Sequence, residues 1–243
     1  MLRIGRFLEI SVYAPEIRES LEFYESLGFV QAPVGEIWAH PYAVVTDGRL
    51  FLGLHGAPLT SPTLSFVLPG LQHAMDELEQ AGVVFEAFQF GEEAFHQASF
   101  RDPAGHSVRL LEARTFSPPP LEAPSESTCG YFSEVGLPAG ESTATRAFWE
   151  ALGFVALEEE STPFPHTPLT SSLLNLGLYR SRAFRQAVLT FEGENMQERL
   201  ARLRERGLKL TDEMPDSLDG RSNAVLIAPE GTRLLLLSAS RDS

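Results

Sequence analysis

Cysteine is nearly absent: the 243-residue sequence holds one, Cys129. A single thiol excludes an intramolecular disulfide framework and any zinc site built from several cysteines. Beside a proline-rich stretch, it reads as an unreactive thiol. Long apolar runs are missing too. No stretch of about 18 apolar residues is present, so no transmembrane helix is expected. Residues 1–6 lead straight into a short strand pattern, unlike a signal-peptide core, and a cytoplasmic protein is expected. Basic residues are scarce: 19 Lys and Arg against 33 Asp and Glu give a formal charge of −14. That charge repels nucleic acid and anionic membranes, so neither is an expected partner. Common catalytic signatures are lacking as well. There is no Gly-x-Ser-x-Gly elbow and no His-Glu-x-x-His, and the phosphate-loop outline at residues 136–143 carries Glu141 in place of lysine.

What the sequence does hold is a copy of itself. Glu22-Phe23-Tyr24-Glu25-Ser26-Leu27-Gly28-Phe29 returns as Arg146-Ala147-Phe148-Trp149-Glu150-Ala151-Leu152-Gly153-Phe154, with Gly28 and Gly153 lying 125 positions apart. Each copy reads as a helix ending on glycine, where a left-handed conformation costs little, followed by a strand. Around the first copy, residues 7–13 form an apolar strand pattern and Ile17, Leu21, Tyr24 and Leu27 follow at helical spacing. Strands at 29–31, 42–46 and 50–55 complete a βαβββ order, with Asp47-Gly48 as a hairpin turn. The order restarts with a strand at 64–68 and a helix carrying Leu71, Met75 and Leu78 up to Gly82. Strands at 83–88, 98–101 and 107–111 follow, the last two flanking the turn Asp102-Pro103-Ala104-Gly105. Residues 117–128, opening with Ser117-Pro118-Pro119-Pro120, read as a linker. Beyond it the pattern repeats: strands at 132–137, 173–179 and 188–191, helices at 143–152 and around Met196, Leu200 and Leu203, and the turn Ala228-Pro229-Glu230-Gly231. Two domains of about 120 residues are therefore expected, residues 1–116 and 129–243, each of α+β class with two βαβββ units.

These motifs resemble those of the vicinal oxygen chelate superfamily, which includes glyoxalase I, bleomycin-resistance proteins and extradiol dioxygenases. The resemblance covers nearly the whole chain. It rests on the Phe-Tyr and Phe-Trp pairs before Leu-Gly-Phe, on the Asp-Pro-Ala-Gly turn followed by Val108-Arg109-Leu110, and on the paired βαβββ order. It implies tandem glyoxalase-like domains whose curved mixed sheets enclose clefts. In catalytic members a divalent metal in the cleft chelates vicinal oxygens of the substrate. The implied ligands are His or Gln on the first strand, Glu on the last strand of the first unit, His on the next strand, and Glu on the last. In this chain those positions fall on Glu9, Gly53, Thr63 and Arg109, and in the second domain on Glu134, Gly177, Val188 and Leu235. Glycine, leucine and arginine offer no ligating group, so no cofactor is expected. A register shifted by one residue would turn other side chains inward and readmit a divalent metal.

Glu9 and Glu134 share one repeated position, and one of them is expected to pair directly with Arg109, whose guanidinium matches a carboxylate. That pair either replaces the metal as internal glue or binds a polar ligand. His55 lies two residues beyond Gly53 on the same strand face. It is read either as a base or ligand contact or as a strand-end residue facing solvent; its counterpart in the repeat is Tyr179. His40 and His166 are read as loop residues, His106 as an exposed turn residue, and His73 and His96 as lacking supporting neighbours. Tyr13, Trp38, Phe88, Phe90, Phe95, Trp149 and Phe164 either line an apolar pocket or belong to the core. The ligand-binding candidates are thus Glu9, His55, Thr63, Arg109, Glu134 and Tyr179, and the cleft holding Arg109 is favoured. The expected function is a metal-independent small-molecule binding protein, resembling the resistance members. The alternative is a metal-dependent lyase, isomerase or dioxygenase using Glu9 and His55. The resemblance implies that small single-domain members often dimerise; here the fused second domain can supply that partner, so a monomer with internal pseudo-twofold symmetry, or a homodimer, is expected.

Overall fold

The computed structural model describes residues 3–34, 38–91, 95–113, 127–140 and 142–239. The first βαβββ unit is β1 (Arg6–Tyr13), α1 (Ile17–Ser26), β2 (Val30–Ala32), β3 (Tyr42–Thr46) and β4 (Phe51–His55). The second is β5 (Thr63–Val67), α2 (Leu71–Gln80), β6 (Phe85–Gln89), β7 (Gln97–Arg101) and β8 (Ser107–Leu111). The third is β9 (Tyr131–Pro138), α3 (Thr143–Ala151), β10 (Val155–Ala156), β11 (His166–Thr170) and β12 (Leu176–Tyr179). The fourth is β13 (Val188–Gly193), α4 (Met196–Glu205), β14 (Leu210–Thr211), β15 (Ala224–Ile227) and β16 (Arg233–Ser238). Consecutive units join into one eight-stranded mixed sheet each, in the orders β2-β3-β4-β1-β5-β8-β7-β6 and β10-β11-β12-β9-β13-β16-β15-β14. The two sheets have the same topology. The predicted linker lies outside the described residues except for Ser127 and Thr128, as does Glu141 of the rejected phosphate loop.

Side chains alternate between the two faces of each strand, and that alternation decides where polar groups stand. Ile10, Val12, Leu52, Leu54, Leu64, Phe66, Val108 and Leu110 face the helices and join a continuous apolar core that spans both sheets. The residues between them, Glu9, Ser11, Gly53, His55, Thr63, Ser65 and Arg109, share the opposite face. Both repeated helices end as expected, at Gly28 with φ of 95° and Gly153 with φ of 103°, a region glycine enters without steric cost.

The repeated motifs also build the seam between the halves. Tyr24 of α1 donates its hydroxyl to Glu230 Oε1 at 2.7 Å, and Ser20 donates to Oε2 of the same carboxylate at 2.7 Å. Trp149 of α3 returns the arrangement, its Nε1 donating to Asp102 Oδ2 at 3.1 Å. Each helix therefore docks on the proline turn of the other half. Burial, then the facing Glu230, pushes the Tyr24 hydroxyl pKa well up, which keeps it a donor. Cys129 is fully buried in this seam, and burial pushes its thiol up to about 12, in line with an inert thiol.

Candidate functional site

On the open face of the first sheet, register brings Glu9 beside Ser65 on β5, Ser11 beside Gly53 on β4, and Ser65 beside Arg109 on β8. Tyr42 stands opposite His55 across the β3–β4 hairpin. The carboxylate of Glu9, 1% exposed, is the hub. Its Oε1 accepts from Ser11 Oγ at 2.6 Å and lies 3.0 Å from His55 Nε2; its Oε2 accepts from the Tyr42 hydroxyl. His55 Nδ1 continues the chain to His40 Nε2 at 3.0 Å. Arg109 Nη2 donates to Ser11 Oγ at 2.8 Å and lies 3.5 Å from His55 Nε2, while its guanidinium sits 5.0 Å from the centre of the Trp38 ring. Such stacking contributes about 0.5–2 kcal/mol.

Electrostatics follow from this packing. Burial raises the Tyr42 pKa, and the charge and hydrogen bond of Glu9 raise it further; Arg109 and the neighbouring Trp38 oppose the shift. His40 is lowered by burial, then by His55 and Arg109, which favours its neutral imidazole. Burial lowers Arg109, and Glu9 and Tyr42 resist that loss of charge. Among the described residues, two buried donors, Arg109 Nε and Trp38 Nε1, have no well-aligned hydrogen-bond partner.

The equivalent face of the second sheet is built differently. Glu134 Oε1 accepts the Tyr179 hydroxyl at 2.6 Å, and that hydroxyl lies 2.7 Å from Thr190 Oγ1. A methyl group on Gly136 or Gly177 would strike the Tyr179 ring, so the ring lies flat across both glycines. Around it Phe164, Phe184, Val188, Met214, Leu218, Val225, Leu235 and Leu237 form a second apolar cluster. Beside that cluster opens a cavity of about 1000 Å³ lined by Glu134, Glu160, Glu192, Asp219, His166, Phe164 and Tyr179 among others. Its lining includes neither lysine nor arginine among the described residues.

Several expectations change against this geometry. Among the described residues no carboxylate pairs directly with Arg109: Glu9 reaches it through Ser11, because on adjacent strands a short hydroxyl fills the gap between two longer side chains. His55 does not face solvent; it is fully buried because Trp38, His40 and Tyr42 pack against its ring. Thr63 faces the right side, yet its hydroxyl donates to the Thr60 carbonyl at 2.5 Å and takes no part in the network, whereas Ser65 stands next to Glu9. His40 precedes β3 as a loop residue but belongs to the network, and His166 is the first residue of β11, mostly buried. His106 is half-buried against the Pro138 carbonyl at 2.9 Å. His96 has a partner after all, Glu112 at 2.8 Å. Among the described residues Trp38, His40 and Tyr42 pack on the His55 ring at the Arg109 face, and a wide cavity lies beside Glu134. Ser11, Ser65 and Tyr42 were missed by the sequence reading, although period-two spacing from Glu9 and hairpin pairing with His55 would have found Ser11 and Tyr42.

No protein-family model and no curated protein matches the sequence. Solved structures do. A catechol 2,3-dioxygenase matches with TM-score 0.62 at 13% identity over 98% of this chain and 88% of its own. The 2,3-dioxygenase LapB from Pseudomonas sp. KL28 gives 0.62 at 16% identity over 97% and 92%. Homoprotocatechuate 2,3-dioxygenase from Arthrobacter globiformis gives 0.61 at 13% over 97% and 80%. The chain thus has the tandem glyoxalase-like α+β fold found in extradiol dioxygenases. No helix among the described residues is long and apolar enough to cross a membrane.

The donor set does not fit the metal that this resemblance implies. At the second ligand position, the space a side chain on Gly53 would need is taken by the Glu9 carboxylate. At the fourth, Arg109 places a fixed positive charge 3.5 Å from His55 Nε2, where it would repel a dication. Glu9 and His55 remain as two donors, and no group of three or more carboxylate, imidazole or thiol side chains among the described residues could hold an ion. In the second half the matching positions are Gly177, Val188 and Leu235, which leaves Glu134 as the one side chain of ligating type among the four.

Proposed function

We propose that this protein is a metal-independent small-molecule binding protein on a glyoxalase-like scaffold, and that its binding cavity is the one beside Glu134. The observation that carries the reading is the fate of the ligand positions. In the first half Glu9 folds over Gly53 and is tied to Ser11, Tyr42, His55 and, through Ser11, Arg109. In the second half Tyr179 lies across the glycines and leaves a cavity of about 1000 Å³ at its side, the upper size of small-molecule sites. Glu9 and Glu134, at the positions the resemblance assigns to a metal ligand, are engaged in internal hydrogen bonds, and room for a ligand lies next to Glu134. The metal-dependent lyase, isomerase or dioxygenase reading would need a donor set that these positions lack.

The test joins metal analysis to ligand screening. Protein purified without chelator or metal affinity resin is expected to carry well under one metal per chain by plasma mass spectrometry, before and after exposure to Zn, Ni, Mn and Fe. A thermal-shift panel of small molecules is expected to yield binders whose shifts survive a chelator. Near-stoichiometric metal whose removal abolishes ligand binding would overturn the reading.

A further inference from the structure

We infer that the cavity of the second half takes an organic cation with an aromatic or alkyl body, seated against the Glu134 carboxylate. The inference rests on the binding-protein reading and names its ligand class. The two halves supply the argument by comparison. Glu9 and Glu134 occupy equivalent places on β1 and β9, and each meets the last strand of its first unit at a glycine. Glu9 has an internal cation: Arg109 reaches it through Ser11, at 2.8 and 2.6 Å. In the second half the counterparts of those two residues are Leu235 and Gly136, and the place of His55 is held by the phenol of Tyr179. Glu134 keeps its carboxylate and loses every fixed positive charge its counterpart enjoys. Where the guanidinium would stand there is buried leucine, and beside the carboxylate there is open cavity.

Three features define what fills that cavity. Charge is the first: Glu160, Glu192 and Asp219 join Glu134 on the wall, and among the described lining residues His166, 3.9 Å from Glu160, is the one basic group, so anions are repelled. Second, these carboxylates do not converge into a group able to chelate an ion among the described residues, which favours a diffuse charge over a metal dication. Third, Phe164, Pro163, Leu218 and Leu237 line the same space as the carboxylates; Phe164 and Tyr179 bury their rings in the apolar cluster, so the wall beside Glu134 offers apolar surface on which the body of an alkylated ammonium or a cationic ring packs. Tyr179 bonds one oxygen of Glu134, and among the described residues the other has no hydrogen-bond partner. Burial, offset in part by Tyr179 and His166, raises the affinity of Glu134 for a proton, in keeping with a carboxylate that lacks a counterion.

Calorimetric titration of the full chain tests this with benzyltrimethylammonium and N-methylquinolinium as cations, benzyl alcohol as a neutral probe and benzenesulfonate as an anion. Both cations are expected to bind one per chain, with neither the alcohol nor the sulfonate competing. Glu134→Gln is expected to weaken cation binding about tenfold or more. Glu192→Gln, on the cavity wall, weakens it less and serves if the first variant misfolds. Glu86→Gln, on distant β6, changes nothing. Absence of cation binding, equal affinity for benzyl alcohol, or indifference to both cavity variants overturns the inference, as does Glu134-dependent uptake of Mn or Mg in place of the cations. If the panel described above finds only neutral or anionic binders, the cation class fails while the binding-protein reading stands; an empty panel removes the latter.

Discussion

Glu9 and Glu134 lie 125 positions apart on equivalent strands, yet the chain gives them different company. A carboxylate removed from water needs hydrogen bonds and a nearby cation, or it holds its proton. Glu9 receives Ser11, Tyr42 and His55, with Arg109 behind Ser11. Glu134 receives Tyr179, and burial raises its pKa above the ordinary carboxylate value. A group whose pKa is raised on folding stabilises the fold below its unfolded pKa and loses that contribution as pH climbs through the folded value. Glutamine never ionises and still offers an oxygen to the Tyr179 hydroxyl. Glu134→Gln should therefore gain thermal stability over the parent as pH rises from 4 to 8, with little or no gain at pH 4. His166, Glu160 and Glu192 also face this carboxylate, so the same scan in a His166→Gln background separates the imidazole's share. A stability difference that stays flat across the scan would contradict the burial argument.

At the scale of strands and helices, the sequence carried most of the architecture because its signals were local. Asp47-Gly48 set the hairpin that puts Tyr42 opposite His55, Gly28 and Gly153 ended helices, and period two placed Glu9, Gly53 and Arg109 on one face. The state of the site was harder to read, because it depends on side-chain direction. Nothing in the alternation says that Tyr179 lies down over Gly136 and Gly177, or that Trp38 and His40 close over His55. Nor does it say that Ser11 will stand between Glu9 and Arg109; strand spacing brings the three together, and their lengths decide who touches whom. The glycines are the element-level consequence that can be checked. A Cβ on Gly53 would overlap the Glu9 carboxylate, which must then leave Ser11, Tyr42 and His55. Gly53→Ala is expected to cost about 1–3 kcal/mol in urea unfolding, as overpacking does. A change within about 0.5 kcal/mol would mean that the carboxylate has somewhere else to go.

Across the whole molecule, the repeat is bound together by an exchange: α1 docks on the turn after β15 and α3 on the turn after β7. Arg206 adds a hydrogen bond to the Ser26 carbonyl at 2.7 Å, and Phe29 meets Phe191 with ring centres 6.1 Å apart. The apolar core runs through both sheets without a break. Two halves that share one core lose more by separating than either gains, so they should unfold as a unit. The chain's two tryptophans make this testable: Trp38 lies in the first half and Trp149 in the second. In a Trp149→Phe background, fluorescence reports the first half alone. Adding Leu200→Ala, a fully buried residue of α4 in the second half, should cost about 2–5 kcal/mol by leaving a cavity. If the halves are one cooperative unit, the Trp38 midpoint falls with the far-UV circular dichroism midpoint, although the altered residue belongs to the other half. A Trp38 transition that stays in place while the dichroism splits into two steps would show that the seam joins two independently stable domains.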